Sequence, residues 1–232
     1  MNQSQTTAAY EAVYNTLKKR ILHLDLLPGD MVSEIETSKE FSVSRTPIRD
    51  AFKTLANEGL LEVKPHIGTF VTLIDMNQIS DILYIREVME KAIANELSIS
   101  FNQSQEFKVQ HILNRQKQLL QDTTLSSQEF AMKFAESDND FHGILFSLVG
   151  KERLLSHFHP INGQYQRFRT LLNLKDQSAI QSLYDEHTQL LHHIKQKNTH
   201  ELNDLLTHHI YDGFNTHTYL IDEYPHYFKS LS

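Results

Sequence analysis

Along most of this chain apolar residues recur every three or four positions, the spacing of helices that bury one face. Before residue 75 the pattern is short and punctuated. A helix is expected from about Ala8 to His23, with Val13, Leu17, Ile21 and Leu24 inward, and Leu27-Pro28-Gly29 turning the chain after it. Ser33 with Glu36 three residues on is a capping-box pattern that opens a short second helix. Ser44-Arg45-Thr46-Pro47 opens a third, where proline is favoured because its missing N–H has no partner in a first helical turn. Gly59 stops it as a left-handed C-cap. Leu60–Val63 and Thr69–Val71 then flank Lys64-Pro-His-Ile-Gly68, which predicts a β-hairpin with a basic tip.

After residue 75 the periods lengthen. Six helices are expected, near 76–100, 103–122, 126–149, 151–172, 176–197 and 199–221, joined by short polar links as in an antiparallel bundle. The tail beyond Ile221 carries no assignable pattern. The fold class is therefore mainly α: an N-terminal winged helix-turn-helix over 1–74 and a C-terminal antiparallel all-helical bundle over 75–232.

Composition narrows the chemistry. The chain has 232 residues, 40% of them hydrophobic, which suffices for two modest cores. It has no cysteine, which excludes disulfides, thiol catalysis and thiolate-bound metals. No signal-peptide order and no membrane-length apolar run is present, so a cytoplasmic protein without membrane contact is expected. The net charge is −7, and most of the acidity lies after residue 75, leaving 8 Lys/Arg against 9 Asp/Glu before it. Histidine is skewed further: 12 of the 14 fall in the second part.

On a helical wheel Ile48, Ala51, Phe52 and Leu55 share one arc of the third helix, while Thr46, Arg49, Asp50, Lys53 and Asn57 occupy the other, with Arg45 at its N-terminal edge. Such a helix packs by one side and offers hydroxyl, guanidinium and ammonium groups on the other. In a winged helix-turn-helix that helix enters a major groove ~12 Å wide, where arginine can pair with both acceptors of guanine.

The same wheel reasoning sorts the histidines. Asp138 and His142, four apart, border the arc of Phe141, Ile144, Leu145 and Leu148, whereas Asp140 points away. His187 falls amid Leu190, Leu191 and Ile194, and His209 shares its face with Leu202, Leu205 and Leu206. His192, His193 and His208 lie outside those arcs. One carboxylate and three imidazoles are thus directed inward. Buried, they need partners, and either a divalent cation or hydrogen bonds within the core would supply them.

The run from Pro28 to Val71 closely resembles the DNA-binding domain of GntR-family transcription regulators. Its landmarks are Pro28-Gly29, Ser33-Glu34, Val43-Ser-Arg-Thr-Pro-Ile-Arg49, Ala51, Leu55, Glu58-Gly59-Leu60 and Gly68-Thr-Phe-Val71. The resemblance implies base or phosphate contacts from Arg45 and Arg49, phosphate contacts from Ser44 and Thr46, and a wing that nears the minor groove at Gly68. Lys53 on the polar face and His66 in the hairpin complete the expected DNA-contacting set. One departure is Ile35, where the family usually has a basic residue.

Residues 79–212 are similar to the helical FCD domain of the FadR-like subfamily. The marks are Leu83-Tyr-Ile-Arg86-Glu-Val-Met-Glu90, Asp138-x-x-Phe141-His142, Glu186-His187 and His209. That resemblance implies a divalent metal held by Asp138, His142, His187 and His209, with zinc first and nickel, manganese or iron as alternatives. It also implies a small carboxylate effector, clamped by Arg86 or by Arg167 and Arg169, and a homodimer on a DNA operator. The ligand would act on DNA binding through the bundle and the linker near 72–80. The competing reading is a metal-dependent hydrolase using the same cluster, with Glu90 or Glu136 as a general base. No HExxH or nucleophile elbow accompanies it.

Overall fold

The computed structural model describes residues 3–158, 162–176 and 178–230, which fall into two compact units. The first comprises 3–79 together with 162–168 and 221–230, segments distant in sequence; the second comprises 80–158 and 169–220.

The first unit opens with helix α1 (Gln3–Leu22), strand β1 (Met31–Val32), helix α2 (Glu34–Glu40) and helix α3 (Arg45–Asn57). A hairpin of β2 (Leu61–Lys64) and β3 (Gly68–Val71) follows. Val13, Leu17 and Ile21 of α1 are buried against Ile48, Ala51, Phe52 and Leu55 of α3, as their spacing predicts. The sheet has three strands in the order β1-β3-β2, all antiparallel, with Lys64 paired to Gly68 and Leu61 to Val71 at the two ends of the hairpin. Two residues are too short a run to show a period, so β1 is invisible to periodicity; β3 selects it by pairing Phe70 with Met31. Ser33 caps α2 by accepting from the Glu36 N–H at 3.4 Å. At the end of α3 Gly59 takes φ +71°, a left-handed conformation available to glycine at no steric cost.

The second unit is helical: α4 (Met76–Ser100, whose first turn belongs to the first unit), α5 (Gln103–Gln121), α6 (Ser127–Leu148), α7 (Glu152–Phe158), α8 (Gly163–Lys175, whose first six residues belong to the first unit), α9 (Ser178–Gln196) and α10 (Thr199–Thr216). Reciprocal capping boxes start α5 (Asn102 with Gln105) and α6 (Ser126 with Glu129). Their core joins Ile93, Ala94 and Leu97 of α4, Val109, Ile112 and Leu113 of α5, Phe141, Leu145 and Phe146 of α6, and Leu190, Leu191, Ile194, Leu202 and Leu206 of α9 and α10.

Two expectations need correction. The helix expected over 151–172 is two helices, α7 and α8, and residues 159–161 between them lie outside the described set. The reason stands in the sequence: Pro160 has no N–H to donate and its ring opposes the carbonyl four residues back. The helix expected over 199–221 stops at Thr216, and α11 (Tyr219–Glu223) begins separately. The tail then forms a 3-10 turn at Pro225–Tyr227 and one bridge between Ile74 and Phe228, within the first unit. No helix among the described residues is long and apolar enough to cross a membrane.

Candidate metal centre and nucleic-acid interface

Helix α3 offers the surface that its wheel predicts. Pro47, Ile48, Ala51, Phe52 and Leu55 are buried, while Ser44, Arg45, Thr46, Arg49, Lys53 and Asn57 are exposed. Ser44 occupies the N-cap position and is exposed, and its side chain makes no cap hydrogen bond. Arg49 Nε bonds Glu34 at 2.9 Å across α2 and α3, an exposed pair that solvent screens. In the hairpin His66 is exposed with φ +62° and Lys64 lies 5.2 Å over the ring of Phe70. Gly68 takes φ +154°, and a Cβ there would stand 3.2 Å from the sulfur of Met31. Ile35, which stands where the resembled family usually has a basic residue, is exposed on α2 and supplies no charge.

In the second unit Asp138, His142, His187 and His209 converge, and one ligand atom from each lies within 4.8 Å of the others. All four are buried, His187 completely, at 0% exposure. His142 Nε2 stands 3.1 Å from His209 Nε2 and 3.8 Å from Asp138 Oδ1, and His187 Nε2 stands 3.5 Å from the same oxygen. The opposite nitrogen of each ring faces an acceptor. His142 Nδ1 is 2.7 Å from Glu90 Oε2, His187 Nδ1 is 3.0 Å from Gln116 Oε1, and His209 Nδ1 is 2.6 Å from Glu186 Oε2. Gln116 is itself oriented, since its amide donates to Ser137 O at 3.2 Å. Gln116 and Glu186 place the ring N–H of His187 and of His209 on Nδ1, so their Nε2 lone pairs point, with Nε2 of His142, toward a carboxylate oxygen.

Lone pairs so arranged repel in the absence of a positive charge. Nε2 of His187 has no hydrogen-bond partner although its ring is fully buried. A divalent cation with tetrahedral bonds of roughly 2.0–2.2 Å sets neighbouring ligand atoms roughly 3.3–3.6 Å apart, and the separations of 3.1, 3.5 and 3.8 Å lie around that range. Histidines held by carboxylates or amides through the second nitrogen are the usual support of such a site. The residues present therefore fit a divalent cation.

Charges around the cluster are strongly coupled. Burial opposes ionisation of Asp138, yet Arg169 and the three imidazoles outweigh it and hold the carboxyl well below its usual range. Arg169 donates to Asp138 Oδ2 and, at 2.8 Å, to Asn139 Oδ1. Burial likewise opposes the charge of Glu90, and Arg86 and His142 overcome it, Arg86 Nε lying 2.7 Å from Glu90 Oε1. Burial is the main cause that pushes His187 well below the ordinary histidine value, so its ring is neutral at neutral pH.

Two of the three expected effector arginines, Arg86 and Arg169, thus touch carboxylates that belong to the cluster or orient it. Arg167 does not: it lies in the first unit and bonds Thr72 and Gln164. Asp140 pairs with Arg115 on the surface, and His192 and His208 are exposed. Sequence reasoning missed the orienting roles of Gln116, Glu90 and Glu186. A signal existed for the first: Gln116 continues the buried stripe of Val109, Ile112 and Leu113, where a polar residue needs a partner.

Winged hairpin and exposed third helix are the arrangement of a DNA-binding transcription regulator, and the buried histidine cluster lies in its helical unit. Comparison with known proteins is consistent with this class. Residues 9–71 match the family described as bacterial regulatory proteins, gntR family, and residues 81–212 match the FCD domain. The chain belongs to the GntR family of transcription regulators and carries an FCD domain. It is 25% identical over 205 residues to the HTH-type transcriptional repressor RspR of Escherichia coli K12, covering 88% of this chain and 87% of that one. It is 27% identical over 192 residues to the uncharacterized HTH-type transcriptional regulator YdhC of Bacillus subtilis 168, covering 83% of each. Among solved structures, E. coli McbR/YncC shares the fold at a TM-score of 0.72 and 16% identity, over 93% of this chain and 98% of that one. A GntR regulator from Rhodococcus sp. RHA1 gives 0.66 and 19%, over 92% and 97%. The family consists of regulators rather than enzymes, and nothing in the comparisons supports a hydrolase.

Proposed function

We propose that this chain binds a DNA operator through α3 and the hairpin, and that a small carboxylate at a cation in the helical domain controls that binding. Ser44, Arg45, Thr46, Arg49, Lys53, His66 and Gly68 form the DNA surface. Asp138, His142, His187 and His209 hold the ion. Zinc suits three imidazole nitrogens and one carboxylate oxygen best, and nickel, manganese and iron are compatible. The protein acts as a homodimer on a two-fold operator, in the cytoplasm.

One observation carries the sensing part: His187 and His209 are anchored through Nδ1 and His142 Nδ1 lies 2.7 Å from Glu90, and three Nε2 atoms and Asp138 Oδ1 converge. The charge count favours an anion as the further ligand. Glu90 pairs with Arg86 and Asp138 with Arg169, while Glu186 faces the His209 imidazole, which leaves one negative charge in excess. A divalent cation reverses that sign and leaves the site attractive to a carboxylate, with Arg86 and Arg169 as its partners. The bound ion supplies the Lewis-acidic attachment point. Because a ligand acts only through unequal affinity for two states, the carboxylate must favour one DNA-binding state over another.

The test is metal content and its consequence for DNA binding. Wild-type chain is expected to retain about one zinc per chain after dialysis, whereas His187→Ala and His209→Ala lose it. Short mono- and dicarboxylic acids should change retention of a selected duplex for metal-loaded wild type, and not for either variant. Full zinc occupancy in both variants would remove these residues from the site.

A further inference from the structure

Among the described residues Arg167 is the largest fully buried side chain, at 0% exposure, and no carboxylate pairs with it. Burial alone pushes its guanidinium down to about 9, so it remains charged at neutral pH. A buried cation held only by neutral oxygens is costly, and a methionine of similar length would avoid the cost. What the guanidinium supplies instead is a rigid fork. One arm donates to the backbone oxygen of Thr72 at 2.5 Å; the other donates to Thr72 Oγ1 at 3.0 Å and to Gln164 Oε1 at 2.7 Å.

Both partners lead to the junction of the recognition helix and the wing. Thr72 is the first residue beyond β3, where the chain leaves the wing. Its hydroxyl donates at 2.6 Å to the carbonyl of Gly59, the residue that terminates α3, and its N–H donates at 3.1 Å to Leu60 O. Gln164 donates at 3.3 Å to the same Gly59 carbonyl and accepts from the Asp75 N–H at 3.2 Å. The approach of α8 is close: a Cβ on Gly163 would stand 2.7 Å from Leu60 Cδ2. Residues 163–167 thus sit against the joint between the recognition helix and the wing, all within the first unit.

We infer that Arg167 is a positioning residue for DNA binding, fixing the wing relative to α3 from a point ninety-five residues beyond the wing. It touches no DNA, since it is wholly buried. This goes beyond the family assignment and rests only on the DNA-binding part of the proposed function. Simultaneous engagement of groove and flanking backbone demands that helix and wing keep one relative geometry.

The experiment uses the full-length chain and a duplex that wild type selects from a random-sequence pool. Failure of wild type to select any duplex would count against DNA binding itself and is read first. For Arg167→Met, affinity should fall about tenfold, and log K against log salt should become shallower by about one contact, because the wing's phosphate contacts are lost. A purely structural defect lowers the active fraction and leaves that slope intact. Arg167→Lys, which keeps the charge and one donating nitrogen but not the planar fork, should recover part of both. Zinc content should not change in either variant. Thr72→Val, which removes only the hydroxyl links, should show the same two changes at smaller size, and it decides the matter if Arg167→Met does not fold. Wild-type affinity and slope in Arg167→Met, or in Thr72→Val when the former is unfolded, would overturn the inference.

Discussion

The two units place their functional side chains in opposite ways. In the first, an apolar cluster that includes Val13, Leu17, Ile21, Ile48, Ala51 and Leu55 carries α3, and the expected DNA-contacting residues Arg45, Arg49 and Lys53 stand outside it. In the second, Asp138, His142, His187 and His209 are inside, bordered by Phe141, Leu145 and Leu206 of the core. The consequence is a different coupling of stability and function. A surface that meets a polyanion can change without disturbing its support. A cluster inside a core cannot, since each ring packs there as well as being a proposed ligand; His187 stacks on Phe141 at a centroid distance of 3.9 Å.

Three substitutions sharpen or break this contrast. The largest effect is expected for Leu55→Ala on the buried face of α3. It removes a fully buried side chain and should cost about 2–5 kcal/mol in a denaturant titration, abolishing DNA binding with the fold. Survival of the native transition near wild type would show that the first unit does not depend on this face. Next is Arg49→Ala on the opposite face of the same helix. It should weaken binding to the selected duplex by about 1–3 kcal/mol and shift folding stability by no more than about 0.5 kcal/mol. Equal loss of both quantities would erase the distinction between the units.

The smallest effect concerns acid. Burial opposes ionisation of Asp75, but its bonds with Lys229 and with the Gln78 and Asn77 amides win and lower its pKa. A folded-state pKa below the unfolded one adds stability that is present above the ordinary aspartate range and is lost as pH falls through the folded value. Thermal melts from pH 6 downward should therefore decline less steeply for Asp75→Asn than for wild type. Parallel curves would remove Asp75 from the acid response.

Legibility in the sequence followed the range of the interactions. The caps at Ser33 and Gly59, the stripe Ile48-Ala51-Phe52-Leu55 and the hairpin around Lys64–Gly68 depend on neighbours within a few residues, and their spacing states them. The split of the helix expected over 151–172 was also local, signalled by Pro160. By contrast β1 depends on Phe70, and the orienting partners Glu90, Gln116 and Glu186 belong to three helices that only packing brings to His142, His187 and His209.

By itself the chain's order of residues determined which face of each helix is apolar, hence that Asp138, His142, His187 and His209 turn inward and that Arg45, Arg49 and Lys53 turn out. Periodicity has a direction but no distance. Tertiary structure alone decided that the four inward groups meet within 4.8 Å, and that Arg167 serves Thr72 and Gln164 in the first unit while Arg169, two residues on, serves Asp138. Adjacent residues on a helix point about 100° apart per step, so what each meets is set by the elements packed around it.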